Sequence, residues 1–225
     1  MISNIFKALL MLSIPAVASS APVWGAQGGT VDQVMADLMH RDAQVRLSAL
    51  ETIERNRDVR AVKALMDILG NQAEDWKLRI RVIRLLAEIG DPRAADALMN
   101  ALGDYCPAIK WNATVALGRF SGSPRVVRAL IDMLDDHSTV VREAAVASLG
   151  AIGDAYAVPQ LIEALKDRTI SVVLSALRAL ENIGDERALT PVRAIAEGHA
   201  DPLLRSVAAS VAEKISKEVI SPGCY

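Results

Sequence analysis

Three histidines, two cysteines and an evenly spaced row of basic residues are the groups in this sequence with chemistry to offer. An imidazole near a carboxylate is the beginning of a metal or acid–base site, and His40 has Asp42 close by in sequence, as His199 has Asp201. Two cysteines are too few for a closed thiolate zinc site or a disulfide scaffold. Cys106 stands between Tyr105 and Pro107 with no histidine to activate it, so it reads as a small, partly buried apolar residue. Cys224, in the terminal Ser-Pro-Gly-Cys-Tyr, has Cys106 or another chain as pairing options in an oxidising compartment. There is no Gly-rich phosphate loop and no His/Cys metal spacing. Asn112-Ala113-Thr114 matches a glycosylation triplet, but it falls inside a helical stretch and is read as chance. No catalytic residue, cofactor-binding residue or metal ligand is expected.

The basic row leads to the architecture. An apolar–basic pair recurs at Val45-Arg46, Leu78-Arg79, Ile109-Lys110, Val141-Arg142 and Leu204-Arg205, with Val172-Val173 in the fifth slot. The second members stand at 46, 79, 110, 142, 173 and 205, at spacings of 33, 31, 32, 31 and 32 residues. Ile-Gly-Asp corners recur at 89–91, 152–154 and 183–185. Each period holds two helices. Between Thr139 and Ile152 the apolar residues Val141, Ala144, Ala145, Leu149 and Ile152 make a helical stripe. Gly153 suits the left-handed position past its end, and Asp154 the cap of the next helix. Asp42, Asp75, Ser138, Thr169 and Asp201 are read as caps of the second helices. Hairpins of this size cannot bury an apolar face alone, so they stack into an all-α solenoid of about six helical-hairpin repeats. The units are read as 28–56, 57–90, 91–121, 122–153, 154–184 and 185–215, within one domain over 26–215 and followed by a polar tail, 216–225. His40, His137 and His199 fall in turns of units one, four and six. Helices packed about 8–10 Å apart keep such rings roughly 20 Å or more from each other, beyond sharing a metal.

The chain has 225 residues, 52% apolar but only 4% aromatic, so its core is built from Ala, Leu, Val and Ile. Charge is near balance, 25 Lys+Arg against 27 Asp+Glu, which argues against nucleic acid as the partner. Residues 1–25 read as a signal peptide: Lys7, then the apolar run Ala8 to Ala18, then small residues. That run is too short to span a bilayer. The mature protein is expected to be exported, periplasmic or secreted, soluble and without membrane insertion.

The paired helices, the Val141-Arg142 pair and its equivalents, the Ala145-x-x-x-Leu149 spacing and the Ile-Gly-Asp corners resemble HEAT repeats, specifically the short HEAT-like repeats of phycobilisome lyases. The resemblance covers about 30–215. It implies a HEAT/armadillo-like superhelix, and for most members a concave surface presented to another protein. The expected function is therefore a non-catalytic scaffold or adaptor for a protein or peptide partner. The alternative is a lyase-like or cofactor-handling protein. The pigment lyases of the family act in the cytoplasm, whereas this chain reads as exported. An iron-dependent hydroxylase built from such repeats uses His-Glu pairs as ligands, and this sequence has no His-Glu dipeptide.

The resemblance also implies that the second helices line the concave face. The basic residues Arg46, Arg79, Lys110, Arg142 and Arg205 are then a structural ladder tying unit to unit; the competing reading, a track for an anionic ligand, is interrupted by Val173. Counting the basic residue as zero, the side away from the buried stripe is +1, +5 and +9. At +1 stand Leu47, Ile80 and Trp111 on successive units; at +5 stand Arg84 and Val115. An exposed apolar row marks a contact surface, so Leu47, Ile80, Arg84, Trp111 and Val115 are the expected partner-binding residues.

Overall fold

The computed structural model describes residues 31–220. The leader read over 1–25, and Cys224 with any disulfide it forms, lie outside the described residues. Twelve α-helices form six successive hairpins, with no strand among the described residues. They are α1 (Val31–Leu38) with α2 (Ala43–Asn56), α3 (Val62–Gly70) with α4 (Trp76–Ile89), and α5 (Ala94–Ala101) with α6 (Pro107–Leu117). The remaining three are α7 (Pro124–Asp132) with α8 (Thr139–Ile152), α9 (Val158–Ala164) with α10 (Ile170–Ile183), and α11 (Leu189–Gly198) with α12 (Pro202–Ile220). The even-numbered second helices pack in series, α2 on α4, α4 on α6, α6 on α8, α8 on α10 and α10 on α12. One apolar cluster extends from Val34 to Ile215, and Phe120 is its only buried aromatic among the described residues.

Local sequence explains where helices stop. Gly90, Gly153 and Gly184 close α4, α8 and α10 at φ of 68°, 74° and 70°, a left-handed conformation that glycine adopts without a Cβ clash. Arg57 closes α2 at φ 49°. The aspartate after each corner starts the next unit: Asp58, Asp91, Asp154 and Asp185 accept the N–H of Arg60, Arg93, Tyr156 and Arg187. Arg93 and Arg187 also donate to the carbonyls of Val59 and Ala155 in the preceding unit. The last helix does not end where the polar tail was expected. Ser216 donates to the Ala212 carbonyl and Lys217 pairs with Glu213, and no Pro or Gly intervenes before Pro222, so α12 continues to Ile220.

Glycine also sets how closely second helices approach. A Cβ on Gly118, at the end of α6, would lie 2.8 Å from the Ser148 hydroxyl and 3.1 Å from the Ser148 Cα on α8. A Cβ on Gly150 would lie 2.7 Å from Ala179 Cβ and 2.8 Å from Ala179 Cα on α10. Ser148 donates across the first of these contacts to the Thr114 carbonyl. Gly150→Ala therefore sets two effects against each other. Alanine gains about 1 kcal/mol of helix propensity, while overpacking against backbone costs about 1–3 kcal/mol. Packing is expected to win, lowering the melting temperature by about 2–4 °C in a thermal melt followed by circular dichroism. An unchanged or raised melting temperature would contradict the close-packed interface.

Candidate functional site

Each cation of the basic row sits in the first turn of a second helix and, where a carboxylate follows, reaches into the next unit. Arg46 Nη2 lies 2.7 Å from Glu74, Arg79 Nη2 2.6 Å from Asp104, Lys110 Nζ 2.7 Å from Asp136 and Arg142 Nε 2.7 Å from Asp167. The accepting aspartates occupy the turn between the two helices of their own unit. There Asp104, Asp136 and Asp167 also accept the backbone N–H of Cys106, Ser138 and Thr169. The cations bind their own side of the turn as well: Arg79 donates to the Leu69 carbonyl and Arg142 to that of Asp136. Arg205 binds the His199 and Ala200 carbonyls. Arg79 and Arg142 are buried.

This arrangement corrects the reading of two caps. Ser138 and Thr169 do stand at N-cap positions but make no side-chain cap bond. The aspartate two residues earlier takes their N–H and ties it to the ladder. Asp42, Asp75 and Asp201 cap directly, accepting from Gln44, from Lys77 and Leu78, and from Leu203 and Leu204. His40 and His199 stand where units three, four and five carry the aspartate, and their Nδ1 accepts the N–H of Asp42 and Asp201. Among the described residues no three His, Cys, Asp or Glu side chains are grouped as a metal site needs.

The second-helix face differs from the row that sequence spacing suggested. Trp111 is 38% exposed and Val115 45%, but Ile80 is only 9% exposed and Leu47 is half-buried. A helix in a stack is covered on both flanks by its neighbours, so Ile80 is tucked between second helices and the apolar row breaks. Trp111 instead joins two hollows. The larger, about 640 Å³, lies between α6 and α8 and is lined by Pro107, Ala108, Trp111, Val115, Val140 and Ala147, with Glu143 and Ser175 at its edge. Its apolar lining comes partly from the first turns of α6 and α8, while the tight Gly118–Ser148 contact is at their far ends. The smaller, about 230 Å³, lies between α4 and α6, where Arg84 and Arg119 flank Trp111 and Val115 beside Glu88. Arg84 Nε donates to Asn112 Oδ1 at 3.2 Å, and Asn112 Nδ2 donates to the Ala108 carbonyl. Asn112 and Thr114, the ends of the glycosylation triplet, are buried in α6.

Of the residues that spacing put forward, Arg84, Trp111 and Val115 line one hollow. Spacing missed Val140 and Arg119. Val140 is an exposed apolar residue in the first turn of α8, and Arg119, nine residues after Lys110, lies in the turn just past α6; both were visible by extending the same face one turn each way.

Stacked helical hairpins tied by a ladder of inter-unit ion pairs define an α-solenoid. The chain belongs to the HEAT-repeat family: a family model described as HEAT repeats matches residues 71–150 and 129–213. The complex of CpcE and CpcF of phycocyanin lyase from Nostoc sp. PCC7120 is similar over 85% of this chain and 79% of that one, with 24% identity and a TM-score of 0.59. A designed armadillo repeat protein in complex with the peptide (KR)4 matches 83% of this chain and 100% of its own, at 18% identity and a TM-score of 0.61. An archaeal HEAT-like repeat protein from Thermococcus onnurineus NA1 matches 83% of this chain and 87% of its own, at 14% identity and a TM-score of 0.58. No curated protein matches the sequence. At these identities the likeness is one of fold. No described helix is long and apolar enough to cross a membrane.

Two carboxylates of the ladder, Asp136 and Asp167, and two of the corners, Asp91 and Asp185, titrate below their ordinary range. The Arg142 hydrogen bond holds Asp167 down against its burial. Burial pushes Asp136 up, but the Lys110 bond, the Ser138 N–H and the Lys110 charge together pull it lower. Arg187 lowers Asp185, and Arg93 lowers Asp91 to about 2. A carboxylate depressed in the folded state stabilises fully above its unfolded pKa of about 3.9 and loses that contribution as pH falls through the folded value. The melting temperature is thus expected to hold between about pH 7 and pH 5 and to fall between about pH 4 and pH 2. A fall already complete by pH 5 would contradict this assignment.

Proposed function

We propose that the protein is an exported, non-catalytic scaffold that holds a protein or peptide partner against its second-helix face, the concave side in repeats of this family. The observation that carries the reading is Trp111. A half-exposed indole is shared by two adjoining hollows in a chain otherwise poor in aromatics. Large aromatics in partly enclosed positions are the residues on which interface energy concentrates. Exposed Val115 and Val140 extend the apolar surface around it. The peptide named with the designed armadillo neighbour supports the use of this fold to hold a peptide. Export rests on the leader read over 1–25.

Affinity capture from a periplasmic fraction with wild type and Trp111→Ala tests the reading. The variant should lose a stoichiometric partner by about tenfold or more in affinity, as hot-spot truncations do. Its melting temperature should stay within about 2 °C of wild type, because little core is removed. Equal capture by both proteins, or unfolding several degrees earlier, would overturn it.

A further inference from the structure

The charge around Trp111 narrows the kind of partner, on the reading that this face is the binding surface. The ladder cations and the corner arginines are consumed by carboxylates or carbonyls. Arg84 and Arg119 are different. Both line the hollow between α4 and α6, both are exposed, and neither meets a carboxylate among the described residues. Arg84 spends its Nε on Asn112, which orients the guanidinium and leaves its terminal nitrogens free to donate. Glu88, on the same hollow, faces Arg57 at 3.2 Å. The hollow therefore offers two guanidinium forks beside an indole, which is the chemistry that holds a carboxylate. The adjoining hollow is apolar, and its one carboxylate, Glu143, accepts from Ser171.

We infer that the occupant is an extended peptide segment carrying an acidic side chain and an apolar one, the carboxylate between Arg84 and Arg119 and the apolar group against Trp111, Val115 and Val140. The spacing follows from geometry. Second helices sit about 8–10 Å apart, and a chain in the extended polyproline-II form advances about 3.1 Å per residue and returns to the same face every third residue, so the two side chains are about three residues apart. A phosphate-backbone ligand fits poorly, because the apolar hollow beside the arginines would be left empty.

Fluorescein-labelled octapeptides, each holding one Glu and one Leu at separations from one to five in a Ser/Gly background, test this by anisotropy against the protein. The Glu peptides with separation near three should bind best. Exchanging Glu for Gln should weaken them about tenfold, and exchanging Glu for Lys more, as loss of a charge-assisted bidentate contact does. Arg84→Gln should erase the Glu preference while leaving the melting temperature unchanged, and Arg119→Glu should shift preference toward the Lys peptides. Equal binding of Glu, Gln and Lys peptides, still lost in Trp111→Ala, overturns the acidic partner and leaves the peptide-binding reading standing. Preference for a labelled oligonucleotide over every peptide overturns both.

Discussion

A cation in the first turn of one second helix, gripped by a carboxylate in the turn of the next unit, determines how one hairpin sits on its neighbour at four of the five junctions between the described units. Apolar packing alone would tolerate a slide along the stack, since Leu, Val and Ala fit one another in many ways. The ladder does not. Moving one unit by a helical turn would leave Arg79 or Arg142 buried without its partner, and an uncompensated buried charge is strongly unfavourable. The same aspartate that accepts the cation also takes the first free N–H of its own second helix. One carboxylate thus couples the start of a helix to the placement of the unit before it.

The binding face is a consequence of that placement. With second helices held side by side, each is covered by its first helix behind and by second helices on both flanks. Only a narrow strip faces outward. Small residues widen the strip between α6 and α8, where Ala108, Ala144 and Ala147 leave room that larger side chains fill elsewhere. Trp111 stands at the edge of that space, and Arg84 and Arg119 stand on its other side. The surface around Trp111 thus has an apolar half and a cationic half.

The repeat period, the hairpins and the glycine corners were legible because periodicity sums weak signals over six copies. Ile80 was not, since a helical wheel assumes one buried side and a solenoid buries flanks too. The ladder's acceptors were present in the sequence but unread: Glu74, Asp104, Asp136 and Asp167 recur at spacings of 30, 32 and 31. The two units with no cation reaching them carry a different residue there. No described unit precedes His40, and Val173 precedes His199. At both, a ring nitrogen accepts the turn N–H in place of a carboxylate oxygen. Matching each acceptor to the cation one period earlier would have found the ladder from sequence alone.

The central claim is that Arg142 and Asp167 act as one inter-unit device. A double-mutant cycle read by equilibrium unfolding tests it most directly, using Arg142→Ala, Asp167→Asn and the pair. The account predicts that the two single variants each destabilise and that the double variant costs little more than either, a coupling of at least about 1.5 kcal/mol. Additive effects, within about 0.3–0.5 kcal/mol, would mean that the two residues stabilise their own turns separately and that the ladder does not hold the stack in register.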